Sequence, residues 1–93
     1  SHGAVSAEVA LQMADGVRRT LGADWGLGIT GIAGPGGGTE TKPVGTVFIA
    51  CASARGNRVV HHRFVGSRDM IRRRAALEAL HLLYQALRDF DPA

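Results

Sequence analysis

Cysteine occurs once in these 93 residues, at Cys51, so no intrachain disulfide can form and no cluster of thiolates can gather around a metal. That points to a reducing, cytoplasmic compartment. Within the apolar run from Val47 to Ala52, Cys51 reads as a small buried residue rather than a nucleophile. Apolar runs are short throughout: none approaches the roughly 20 residues that span a bilayer, and no charged-then-apolar leader is present. The expectation is a soluble protein, or part of one, with no membrane partner. Aromatics make up 5% of the residues, too few to serve as stacking platforms between basic side chains, which argues against a nucleic-acid partner. Acidic residues are missing altogether between Glu40 and Asp69. The chain does not begin with methionine but with Ser1 and His2 just before a helix start, as a fragment, a processed product or a trimmed chain would.

What the sequence has in excess is glycine. Thr30, Gly31, Ile32, Ala33, Gly34, Pro35, Gly36, Gly37 and Gly38 are followed by Lys42, Pro43, Val44, Gly45 and Thr46. Glycine this dense gives up chain entropy on folding, so it is kept where backbone must approach something closely or adopt positive φ. Apolar, β-favouring residues flank the loop, Trp25, Leu27 and Ile29 before it and Val47, Phe48 and Ile49 after it. A strand-to-strand connection of this kind can turn successive N–H groups toward an anion or a carbonyl oxygen. The plainer alternative is a surface turn, for which glycine and proline are ordinary punctuation.

Familiar motifs do not account for the loop. Gly26, Gly28 and Gly31 have dinucleotide-binding spacing, but no helix opens after them and no acid follows about 20 residues later. A phosphate-binding P-loop needs Gly-Lys-Ser/Thr entering a helix, whereas Lys42 precedes Pro43. Thr39 and Lys42 imitate a nucleophile-x-x-Lys pair, yet only a helical turn would bring the two side chains together.

Along the chain, Val5, Val9, Met13, Val17 and Leu21 recur every four residues, with Ala10 and Ala14 widening the stripe, which predicts a helix capped by Ser6 and stopped by Gly22. A short strand over Trp25 to Gly31 follows. Val44 to Ala54 and Arg58 to Val65 read as an antiparallel hairpin turning at Arg55, Gly56 and Asn57. A long helix runs from Ser67 to about Arg88, with Ile71, Ala75, Leu80, Leu83, Tyr84 and Leu87 on its inner face. The fold class is α/β, one domain built as a helix-covered sheet with a β-hairpin over 44–65 and a long C-terminal helix. Three strands leave an uncovered sheet edge, which favours association into a homo-oligomer.

The formal charge is only +3, but Arg68, Arg72, Arg73 and Arg74 crowd the start of the last helix. Arg68 and Arg72 are one turn apart and point the same way. Cations there oppose the helix dipole, so the arrangement costs stability unless an anion arrives. A phosphate or carboxylate would be held by backbone N–H groups and guanidinium forks together. The alternative is a solvated arginine face partly neutralised by Asp69 and Glu78. Thr30, at the carboxyl end of its strand, could donate to substrate, help hold an oxyanion or cap the strand's last carbonyl. His61 and His62 alternate across a strand and cannot share a metal, and His2 and His81 lack obvious partners, so no metal site is expected. No convincing nucleophile and base occur together in the chain.

These residues carry a resemblance. His2-Gly3-Ala4-Val5-Ser6, Thr30-Gly31-Ile32-Ala33-Gly34-Pro35-Gly36-Gly37 and Lys42-Pro43-Val44-Gly45-Thr46-Val47 resemble the CinA C-terminal domain family, which includes nicotinamide mononucleotide deamidases and the C-terminal domains of competence- and damage-inducible proteins. Arg68 and Arg72 match the arginines that open the family's last helix, while Ser67 replaces an acidic residue often found before them. The resemblance implies that the chain is the C-terminal half of a three-layer α/β/α domain. The family's serine nucleophile, in a Glu-Ser-Cys-Thr-Gly-Gly segment, and its lysine base belong to the first half, and neither segment is present here. By the same resemblance the full domain hydrolyses the carboxamide of nicotinamide mononucleotide without metal or organic cofactor. This chain would then supply the substrate-side wall: Thr30, Gly31, Ile32, Ala33, Gly34, Gly36 and Gly37 against the nucleotide and developing oxyanion, with Arg68 or Arg72 toward its phosphate. It would not turn over by itself. A non-catalytic nucleotide-binding or assembly module is the alternative.

Overall fold

A computed structural model describes residues 6–32 and 44–90. Val5 and, within the glycine loop, Ala33, Gly34, Gly36 and Gly37 lie outside the described residues.

Local signals place the elements. The Ser6 side chain accepts a hydrogen bond from the Val9 amide at 3.1 Å and so starts α1 (Ala7–Leu21); Gly22, at φ 64°, closes it in the left-handed conformation that suits glycine. Three strands follow: β1 (Gly26–Ile32), β2 (Val44–Ser53) and β3 (Gly56–Val65). They form one antiparallel sheet in the order β1-β2-β3. After Gly66, at φ 144°, the Ser67 hydroxyl accepts from the Met70 amide at 3.2 Å and opens the last helix, α2 (Arg68–Phe90).

The period-2 alternation of β2 divides the core between two faces. Val47, Ile49 and Cys51 join Phe64 and the α2 residues Ile71, Ala75, Ala79, Leu82 and Ala86 on one side. Ala50 and Ala52 meet Ala10 and Ala14 of α1 on the other, flanked by Leu11, Phe48 and Val59. The sheet is therefore covered by a helix on each face. Cys51 is buried as the sequence suggests, and burial pushes its thiol pKa up.

The structure corrects the expected faces of both helices. In α1 the buried residues are Ala10 and Ala14, while Met13, Val17 and Leu21 are 46, 40 and 73% exposed. The reason lies in β1: a Cβ on Gly26 or Gly28 would run into the carbonyl oxygens of Ala14 and Ala10. Helix and strand approach so closely that only glycine against alanine fits. In α2, Ile71 and Ala75 are buried as predicted, Leu83 is half-buried, and Leu80, Tyr84 and Leu87 face outward; Ala79, Leu82 and Ala86 take the inner positions. The hairpin also turns one residue earlier than its glycine suggests. Ser53 pairs with Gly56, so the turn residues are Ala54 and Arg55. The Ser53 hydroxyl holds the turn, accepting from the Arg55 and Gly56 amides at 3.1 and 3.3 Å. Gly56 serves packing instead, because a Cβ there would come within 2.8 Å of the Phe90 ring.

Candidate functional site

Both helices run antiparallel to β1. Ala10 lies by Gly28 and Ala14 by Gly26, while Ile71 lines a cavity with Ile29 and Gly31 and Phe90 sits beside Trp25. The N-termini of α1 and α2 therefore share the end of the sandwich to which β1 delivers Thr30, Gly31 and Ile32. The two helix N-termini lie at that end on opposite faces of the sheet.

The predicted residues are distributed unevenly there. Arg72 lines a cavity of about 120 Å³ with Ile29, Gly31, Val47, Ile71 and Ala75, so the structure brings Arg72 and the main chain of Gly31 together on the α2 side. Arg68, one turn earlier, is exposed. Neither arginine forms a hydrogen bond or ion pair with a described residue. Thr30 is placed differently. It has the same parity as Gly26 and Gly28, which face α1, so its side chain belongs to the opposite face of the sheet from Arg68 and Arg72. There it stands in a cross-strand row with Phe48 and His61, whose rings stack at 4.5 Å. His62 points to the other face and stacks on Phe64, as alternation demands.

Arg63 stands at the same end of the sheet and is a position that sequence reasoning did not single out. It pairs with Thr46 and thereby with Ile32, one row beyond Thr30, is exposed, and has no partner among the described residues. Only the register of the hairpin reveals it; nothing in the local spacing of Arg63 sets it apart from Arg58.

Chemistry distinguishes this end from the largest cavity among those described, about 400 Å³ between α1 and the hairpin, lined by Glu8, Leu11, Gln12, Asp15, Ala52, Ser53 and Asn57. Two of its polar groups are committed to the fold. Asp15 is held by Arg18 and Arg19, both at 2.8 Å, and the Arg18 hydrogen bond lowers its carboxyl pKa. The Ser53 hydroxyl is used in the turn. Among the described residues no group of three or more His, Cys, Asp or Glu is placed to hold a metal ion, and no helix is long and apolar enough to cross a membrane.

Sheet and flanking helices define an α/β domain with a basic end. Comparison with known proteins makes the assignment specific: the CinA C-terminal domain family matches residues 1–87, and the chain belongs to that family. It is 59% identical over 88 residues to a CinA-like protein of Anaeromyxobacter dehalogenans (strain 2CP-C), covering 95% of this chain and 22% of that protein. A CinA-like protein of Syntrophobacter fumaroxidans is 56% identical over 88 residues, covering 95% and 21%. One from Mycobacterium sp. (strain JLS) is 54% identical over 89 residues, again covering 95% and 21%. The chain thus spans about a fifth of the length of the curated relatives it matches.

Proposed function

We propose that these residues form the substrate-side wall of an amidohydrolase that converts the carboxamide of nicotinamide mononucleotide to the acid and releases ammonia, and that the chain alone is inactive. The observation that carries this reading is Arg72 sharing a small cavity with the Gly31 main chain beside the first turns of α2. Membership of the CinA C-terminal domain family supports it. In this reading Arg72, helped by Arg68, anchors the phosphate with charge-assisted hydrogen bonds. The nucleotide contacts proposed from the sheet end are Thr30, on the opposite face of the sheet from the arginines, and the main chain of Gly31 and Ile32, together with Ala33, Gly34, Gly36 and Gly37 outside the described residues. Their N–H groups stabilise the oxyanion that forms as a nucleophile adds to the amide carbon, before the C–N bond breaks and ammonia leaves. Nucleophile and base come from a part of the domain that this chain does not contain. An open edge is available for that part: β1 has no second neighbour among the described strands, and Ile29, Met13 and Val17 beside it are 38, 46 and 40% exposed. The reading needs no metal or organic cofactor and places the protein in the cytoplasm.

The test is titration of the purified 93-residue chain with nicotinamide mononucleotide and with the riboside that lacks the phosphate. The nucleotide should bind at least about tenfold more tightly, the worth of one charge-assisted contact. No ammonia should appear above the buffer control. Equal affinity for the two compounds removes the phosphate anchor, and ammonia release by this chain refutes the half-site.

The second reading is a non-catalytic nucleotide-binding or assembly module. The hydroxyls of Ser6, Ser53 and Ser67 are all engaged with backbone groups, as either reading allows. Ammonia release by the longer polypeptide that carries this segment decides for the enzyme; binding without release decides for the module.

A further inference from the structure

No further inference is drawn: the strongest candidate, the side-chain cluster in which His62 of β3 and His81 of α2 stand 3.7 and 3.9 Å from one carboxylate oxygen of Glu78 beside a cavity, is not placed to hold a metal ion, and nothing in the structure shows what ligand the cavity would take.

Discussion

Where β2 turns into β3, Arg55 donates to the Phe90 carbonyl at 3.3 Å, and Arg58 bonds Asp89 at 2.7 Å while lying 4.8 Å over the Phe90 ring. Trp25 closes the same corner, its ring 6.2 Å from that of Phe90. At the opposite end, Arg63, Arg68 and Arg72 stand near two positive helix ends with no partner among the described residues. The two ends use the same kind of side chain for different purposes. Paired charge at the hairpin turn fastens the end of α2 to the sheet. Unpaired charge at the glycine end works against the helix dipoles, and such a placement makes sense when an anion completes it.

Removing the fastening should have the largest effect. Phe90→Ala deletes the ring that meets Trp25 and Arg58, and for this half-buried position a cost of about 2–3 kcal/mol is expected, somewhat below that of a fully buried phenylalanine. A thermal melt should show a fall of roughly 10 °C or more; a fall of a degree or two would mean that the corner holds little. Arg72→Ala is the counterpart at the other end. It should leave the melting temperature nearly unchanged, as surface substitutions do, and weaken nicotinamide mononucleotide binding about tenfold. If it changes stability but not affinity, the contrast between the ends disappears.

Ser67 sharpens the contrast on a smaller scale. Ser67→Ala should cost about 1 kcal/mol through the lost cap, whereas Ser67→Asp keeps a capping oxygen and adds a favourable charge. The aspartate should also lower affinity for the nucleotide a few-fold, since it neutralises the end that the phosphate needs. Tighter binding by Ser67→Asp would move the anion away from this helix terminus.

The smallest effect is a pH dependence at the turn end. The hydrogen bond from Arg58 holds the Asp89 carboxyl below its ordinary value of 3.8, against an opposing push from desolvation. A carboxyl whose pKa is lower in the folded state contributes stability that is complete above the unfolded value and lost as the pH falls through the folded one. Melting temperatures measured from about pH 5 to about pH 2 should therefore fall less in Asp89→Asn than in the parent chain. Parallel curves would show that exposure leaves the pair without consequence.

Much of the fold was legible because its signals are local. Ser6 and Gly22 bracket α1 as predicted, and the hairpin and the long final helix lie where alternation and helical period place them. The family, too, could be read from the glycine loop and its flanks. The helix faces could not. Each helix offers two stripes, and summed hydrophobicity favours Met13 and Val17 over Ala10 and Ala14, yet the glycines of β1 admit only the alanines. Gly56 looked like a turn residue because Phe90, which requires it, is distant in sequence. At the candidate site, the nearness of Arg72 to Gly31 follows from α2 starting where β1 ends. The separation of Thr30 from both arginines, and the presence of Arg63, depended on strand parity and register.

By itself the sequence determined which helices and strands form and in what order, because caps, left-handed glycines and hydrophobic periods act over a few neighbouring residues. Which side of each helix is buried, on which face of the sheet Thr30 sits, and which arginines are left without partners were decided only by tertiary structure. Competing stripes bury similar apolar area, so the choice between them falls to close packing between elements that are distant along the chain, such as Gly28 against Ala10 and Gly56 against Phe90.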